Sequence, residues 1–402
     1  MPQAIELADI ERAKQGISRY LQPTPLYLSS TLSEFTGKEI YIKWESKLKS
    51  GAFKERGALN VLLNLNSEQA KAGVCAASAG NHALGLSLHA NKLGIPCTIV
   101  MPKFAPLVKI QACEKAKAKV ILHGSVFDDA LEYALQLSEE NKTVFVHPFN
   151  NPLVMAGQGT IGLEILDQLP SVEAIIVPVG GGGLISGVST AIKSLKSDTY
   201  ILGVQSEWAV SYQNGLPQKN TLVAQTTIAD GIAVKRIGDL TAPIIKSRVD
   251  SLTTVNEDEI ARAIVKLMEY EKSVAEGAGA ASLAALLKGA LPEQYNKIVL
   301  CVCGGNIDIN LLSTIIQRDL VERGRRLKIM VTVPDRPGQL NQVSGAIAEL
   351  GSNVLDLYHD RFYCKPGMVD MVFMLEVRDR IHGDKVVGGI EKIGFKVVRH
   401  SH

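Results

Sequence analysis

From residue 74 onward the chain alternates short apolar runs, at 74–77, 97–101, 119–122, 144–147, 174–179, 200–205 and 298–303, with stretches of helix-forming residues. Runs of this length read as strands, and a helix between consecutive strands favours parallel pairing. The alternation therefore predicts an α/β fold with a mostly parallel sheet. Several runs end in Gly or Ser clusters, and in such sheets ligands bind at the carboxyl ends of the strands.

With 402 residues, 46% of them hydrophobic, the chain has apolar material for two or three domains. Its 43 basic and 41 acidic residues leave a formal charge of +2, so no overall field favours nucleic acid or an anionic membrane as a partner. The uncharged stretch 174–192 contains Pro178 and four consecutive glycines, which argues against a transmembrane helix. Residues 1–20 carry Glu6, Asp9, Glu11 and Arg12 in an amphipathic pattern and lack the apolar core of a secretory signal, so a cytoplasmic location is expected. The six cysteines (75, 97, 113, 301, 303, 364) show no metal-ligand spacing; reduced thiols and no metal site are expected.

A charged junction, Glu322-Arg323-Gly324-Arg325-Arg326, marks a change of composition. A domain spanning 1–322 is expected, with a smaller subdomain at roughly 45–145, then a linker at 323–326 and a second domain at 327–402. The latter reads as strand 327–333, helix 338–350, strands 353–361 and 368–377, helix 382–393 and strand 395–399. That βαββαβ order predicts a small ferredoxin-like sandwich.

The octapeptide Ser50-Gly51-Ala52-Phe53-Lys54-Glu55-Arg56-Gly57 lies between an alternating strand at 39–45 and a helix expected from Ala58. A lysine becomes a nucleophile or base only when desolvation or a neighbouring positive field exposes its free amine, and a helix N-terminus supplies such a field. Gly180-Gly181-Gly182-Gly183 follows another strand and precedes a helix expected near Leu184. Consecutive glycines let N–H groups converge on an anion, and the helix dipole reinforces them. The spacing fits neither a Walker loop nor a dinucleotide fingerprint, which points to a monophosphate. Ser78-Ala79-Gly80-Asn81-His82 also opens a helix and reads either as a carboxylate-binding turn or as an ordinary helix cap.

The order of these motifs matters more than any one of them. Ser-Gly-Ala-Phe-Lys is followed by Ser-Ala-Gly-Asn-His, Gln158-Gly159-Thr160-Ile161-Gly162, tetraglycine-Leu184, Glu276-Gly277-Ala278-Gly279 and Cys303-Gly304-Gly305-Asn306. Over roughly residues 5–320 this resembles the fold type II pyridoxal-phosphate enzymes (tryptophan synthase beta-like), and within them the threonine ammonia-lyases, or threonine dehydratases. Val333-Pro334-Asp335-Arg336-Pro337-Gly338 resembles the first turn of an ACT regulatory domain.

The resemblance implies that pyridoxal 5'-phosphate is the cofactor and that Lys54 is its Schiff-base lysine and the acid/base group at the substrate α-carbon. It implies that Phe53 packs on the cofactor ring, that Gly180, Gly181, Gly182, Gly183 and Leu184 hold the phosphate, and that Asn81 bonds the 3'-oxygen. Ser78, Ala79, Gly80, Asn81 and His82 would bind the substrate carboxylate, Glu276 would lie near the ring, and Cys303 would face the pyridine nitrogen. The implied reaction converts L-threonine to 2-oxobutanoate and ammonia, with L-serine giving pyruvate, in a homo-oligomer serving amino-acid metabolism such as isoleucine synthesis. An amino-acid effector would bind at Gly338, Gln339, Leu340 and Asn353.

Alternatives remain at this level. Cys303 stands where serine is common in threonine dehydratases, which leaves serine or hydroxyaspartate dehydration open. Serine racemases of the family have a second serine where this chain has Ala79, which has no proton to exchange, and Gln205 replaces their metal-binding glutamate. A β-replacement enzyme fits less well with the ACT-like tail and Ala229-Asp230-Gly231-Ile232-Ala233-Val234. A non-catalytic amino-acid sensor is the reading from a different class, and the intact Lys54 speaks against it.

Overall fold

The computed structural model describes residues 5–218 and 227–400. Its contacts divide the chain between Ile307 and Asp308. The division lies upstream of the junction expected at 323–326, so the helix Ile309–Glu322 groups with the second unit rather than the first.

The first unit contains two sheets of the kind the alternating runs predict. The larger has the order Leu26–Leu28, Glu39–Trp44, Lys297–Val302, Ala174–Pro178, Tyr200–Ser206 and Ser251–Val255. Its neighbours are parallel except for the first pair, an antiparallel edge. The smaller sheet, ordered Lys119–Leu122, Cys97–Met101, Val74–Ala77 and Val144–Phe145, is wholly parallel. Its last strand is shorter than the expected 144–147: Val146 still donates to the Cys75 carbonyl, but Pro148, with no N–H, cannot extend the ladder.

Three helices meet through glycine. They are Lys54–Leu63, Pro152–Gln168 and Gly183–Leu195. A methyl group at Gly157 would lie 2.7 Å from both the Arg56 carbonyl oxygen and the Gly57 Cα, and one at Gly159 would lie 3.0 Å from the Gly187 carbonyl oxygen. The Gln158–Gly162 motif is thus the middle of a helix whose glycines bring backbones into contact. The helix Asn81–Leu93 joins the group through Gly85, where an added Cβ would stand 3.1 Å from the Glu55 backbone.

A buried ionic cluster ties the same elements together. Arg56 donates from Nε to Glu45 (2.7 Å) and from Nη1 to Glu164 (2.6 Å), while Lys43 donates to Glu164 (2.6 Å), Gln168 (2.9 Å) and the Thr24 carbonyl (2.8 Å). Both cations are fully buried, and their two carboxylate partners balance them. The polar residue that alternation would send to solvent at Lys43 is enclosed here because helices cover both faces of a central strand. Glu164 is held below its ordinary value by Arg56 and Lys43 against the opposing effect of burial, and Arg56 is raised by its two carboxylates.

The second unit adds the helix Ile309–Glu322 to an antiparallel sheet ordered Asn353–Asp360, Met368–Glu376, Arg326–Pro334 and Lys396–Arg399. Its other helices, Gln339–Glu349 and Arg380–Lys392, complete the expected βαββαβ order. Ile329, Val331, Val333 and Phe373 on the sheet pack with Val343, Ile347, Val386 and Ile390 on these helices.

Removing one partner from a buried ion cluster leaves an uncompensated charge. Arg56→Met is expected to lower the unfolding free energy by roughly 3–5 kcal/mol. Denaturant unfolding of the two proteins checks this; an unchanged midpoint and slope would remove the cluster from the stability argument.

Candidate active site

The lysine turn is clipped to the end of the strand Lys297–Val302. The Phe53 N–H donates to the Cys303 carbonyl (3.0 Å), and the Gly305 N–H donates to that of Gly51 (2.9 Å). Gly51 has φ +75°, a conformation glycine adopts without Cβ strain, and packs against Asn306. Lys54 is the first residue of its helix, four positions before the expected Ala58. Its Nζ donates to the Pro148 carbonyl (2.7 Å) and lies 5.2 Å from the centre of the Phe53 ring. Burial lowers its pKa to about 8, against the raising effects of Cys303 and Glu276.

Asn81 begins the helix Asn81–Leu93 and uses both ends of its amide. Nδ2 donates to Glu276 (2.7 Å), and Oδ1 accepts from Asn306 (2.8 Å), whose amide also donates to the Ser50 carbonyl (2.7 Å). Asn306 therefore stitches the lysine turn to the asparagine turn. Ser78 Oγ accepts from the Gly80 N–H (3.2 Å), an internal brace that leaves the turn and the helix N-terminus together. The His82 side chain departs from this group: it is buried and its Nε2 faces the Val146 carbonyl at 2.9 Å. Burial, with Lys54 adding repulsion, depresses its pKa to about 3, so the ring is neutral and Nε2–H is the donor.

Glu276 is buried beside Asn81; burial first, then the charge of Asp230, raises its pKa to about 7. Burial and Glu276 push the Cys303 thiol well above its ordinary value, so it is neutral near pH 7. Beside Lys54, His147 accepts at Nδ1 from the N–H groups of Phe149 (3.3 Å) and Asn150 (2.9 Å), and burial followed by Lys54 lowers its pKa to about 4.

The tetraglycine packs against Phe149, the residue after Pro148, whose carbonyl accepts from the Lys54 amine. A Cβ on Gly181 would run into the Phe149 ring, and one on Gly183 would stand 2.9 Å from the Phe149 Cβ. Gly182 has φ +91°, and its added Cβ would stand 2.7 Å from Thr241 Oγ1. Among the described residues no acceptor takes the N–H of Gly181 or Gly182. Gly183 and Leu184 open the helix Gly183–Leu195, whose first-turn N–H groups have no intrahelical partner. A backbone turn with no room for side chains and with N–H groups unpaired among the described residues, together with a partly buried amine of lowered pKa, has the chemistry that pyridoxal phosphate requires of its holders.

The structure thus brings Phe53, Lys54, Ser78–Asn81, Gly180–Leu184, Glu276 and Cys303 into one region of the first unit. It also gives roles to residues for which the sequence suggested none: Asn306 as a stitch, Pro148 and Phe149 as partners of the lysine and of the cradle, His147 as a brace of the loop that carries them, and Asp230 acting electrostatically on Glu276. A polar cluster directly after the run 144–147 was the available signal for this loop. Gln205, expected to preclude a glutamate-type metal site, spends its amide on the loop: Oε1 accepts from the N–H groups of Ser211 (3.0 Å) and Tyr212 (3.1 Å), and Nε2 donates to the Tyr212 carbonyl (2.8 Å).

In the second unit the four expected effector residues do not converge within one chain. Gly338, with φ +91°, precedes the helix carrying Gln339 and Leu340, just after the end of the strand Arg326–Pro334. Asn353 pairs with Glu376, which pairs on its other side with Arg326, at the opposite end of that strand. The four residues share a site only if a second chain brings one end to the other.

Residues 17–304 match the family described as pyridoxal-phosphate dependent enzyme, and residues 328–395 match the ACT domain. An L-threonine ammonia-lyase of Thermotoga maritima is 47% identical over 98% of this chain and 99% of its own length. Among solved structures, maize serine racemase has a TM-score of 0.73 at 33% identity, covering 79% of this chain and 99% of that one. The processed form of threonine deaminase isoform 2 from Solanum lycopersicum has a TM-score of 0.71 at 35% identity, covering 77% and 86% respectively. The lysine turn and glycine cradle are the local expression of a likeness that runs through the first unit: this chain belongs to the pyridoxal-phosphate dependent enzymes, with an ACT domain at residues 328–395.

Proposed function

We propose that the protein is a pyridoxal-phosphate-dependent ammonia-lyase that converts L-threonine to 2-oxobutanoate and ammonia, and L-serine to pyruvate more slowly. The observation that carries this reading is the partly buried Lys54 amine, with a pKa lowered to about 8, in the same region of the first unit as the glycine cradle. Near-full-length similarity to an L-threonine ammonia-lyase supports threonine as the substrate.

When bound, the cofactor withdraws electrons from the substrate α-carbon and so acidifies its proton. The glycine N–H groups and the dipole of the helix Gly183–Leu195 would hold its phosphate, and Asn81, secured by Glu276 and Asn306, would orient the ring's oxygen. The backbone of Ser78–Asn81 receives the substrate carboxylate at a helix N-terminus. Lys54 Nζ takes the α-proton, and its lowered pKa keeps a useful fraction of free amine near neutrality. The β-hydroxyl leaves as water, taking up the proton that Lys54 removed from the α-carbon, and the released enamine tautomerises and is hydrolysed by water to the 2-oxo acid and ammonia. The neutral Cys303 thiol would face the ring nitrogen and, carrying no negative charge, would not favour its protonation, a setting suited to prompt elimination. Ala79 offers no second base, so the α-carbon is deprotonated from one face only.

We further propose that the ACT domain binds an amino-acid effector, with Gly338, Gln339 and Leu340 of one chain meeting Asn353 of a second. Separation of these residues within one chain supports that arrangement.

Release of 2-oxobutanoate from L-threonine by the yellow holoenzyme is the direct test of the activity. Lys54→Ala is expected to lower turnover on the order of 10³-fold; a wild type without visible absorbance or turnover after cofactor addition would sink the reading. Lys54 is charged below its pKa and free above it, so the rate of cofactor uptake by the apoenzyme should rise with pH and level off above about 8. In Glu276→Gln the loss of a nearby carboxylate should move that midpoint to lower pH; a midpoint that stays put or rises contradicts the assignment. Titrating isoleucine, valine and other amino acids should shift the threonine saturation curve of the full chain by about fivefold or more. An identical shift in a chain ending at residue 307 would move the effector site out of the ACT domain.

A further inference from the structure

The glycine cradle can receive a phosphate only if its peptide planes are turned so that the N–H groups face the ligand. In a trans peptide the carbonyl of one residue and the N–H of the next point in opposite directions. Whatever holds the carbonyl of Gly180 therefore aims the N–H of Gly181, and whatever holds the carbonyl of Gly181 aims that of Gly182. In both cases the holder is a buried side-chain hydroxyl. Ser211 Oγ donates to the Gly180 carbonyl at 2.8 Å, and Thr241 Oγ1 donates to the Gly181 carbonyl at 2.8 Å. Neither side chain has measurable exposure.

Each hydroxyl has one proton, and the competing acceptors are already supplied. Thr241 Oγ1 also lies 3.0 Å from the Gly238 carbonyl, but that oxygen takes the N–H groups of Thr241 (3.2 Å) and Ala242 (3.0 Å). Ser211 Oγ lies 3.3 Å from Gln205 Oε1, which is occupied by the N–H groups of Ser211 and Tyr212. Both protons are thus left for the cradle carbonyls. Gln205 in turn fixes the backbone of Ser211, and the Gly238 N–H adds a second bond to the Gly181 carbonyl (3.2 Å).

We infer that Ser211 and Thr241 are positioning residues of the phosphate cradle, with Gln205 securing Ser211: their hydroxyls orient the peptide planes that present the N–H groups of Gly181 and Gly182. Neither touches the reacting atoms. The inference rests on the cofactor family and not on threonine as substrate.

The test compares apoenzyme affinity for pyridoxal 5'-phosphate with affinity for pyridoxal, which carries the same aldehyde but no phosphate. Thr241→Val and Ser211→Ala should each weaken pyridoxal 5'-phosphate binding about tenfold and leave pyridoxal within about twofold of wild type. Thr241→Ser, which keeps the hydroxyl, should restore most of the phosphate preference. Equal loss for both ligands, or no loss for either, overturns the inference, as does a Thr241→Ser variant as impaired as Thr241→Val. If Thr241→Val does not fold, Ser211→Ala alone carries the comparison. A wild type that binds the two ligands equally would instead discard the cradle itself, a result separable from any failure of threonine turnover.

Discussion

Backbone contact between helices underlies everything else in the first unit. The helix Pro152–Gln168 touches the lysine helix at Gly157 and the cradle helix at Gly159, and the asparagine helix reaches the lysine helix at Gly85. Side chains at these points would force the helices apart by more than their packing can absorb. Because Lys54, Asn81 and the tetraglycine each sit at the first turn of one of these helices, the distances between them are set by helix packing rather than by the loops. Arg56, two residues from Lys54, ties its helix to the helix Pro152–Gln168 through Glu164 and to the end of the strand Glu39–Trp44 through Glu45.

Desolvation is the common cause of the site's electrostatics. It is the largest influence on Lys54, His82, His147, Glu276 and Cys303, and in each case it favours the uncharged form. Two histidines next to the lysine are held neutral and used as fixed hydrogen-bond partners. Neither His82 nor His147 therefore adds a cation beside Lys54 near pH 7, and the Lys54 amine has a midpoint suited to proton transfer. The ionic cluster around Arg56 is equally buried but keeps its charges, because every carboxylate there faces a cation.

Much of this architecture was legible in the residue order. The alternating apolar runs announced parallel sheets because a helix between strands leaves little other choice, and the βαββαβ order of the tail followed from periodicity alone. Lys54, Asn81 and the tetraglycine stood out because glycine clusters at strand ends have few structural uses. Asn306 and the loop at His147–Phe149 were harder to see, since their partners lie far away along the chain. Thr241 and Ser211 carry no local pattern at all.

What the amino-acid order settled by itself was local: which segments are strands or helices, and where the backbone is freed by glycine. Periodicity and steric freedom act over a few residues and can be read directly. The tertiary structure alone decided that Lys54 loses water and so lowers its pKa, that Lys43 is enclosed rather than solvated, and that two hydroxyls hold the cradle carbonyls. Burial and hydrogen-bond partnership depend on residues brought together from distant parts of the chain, and no local pattern encodes them.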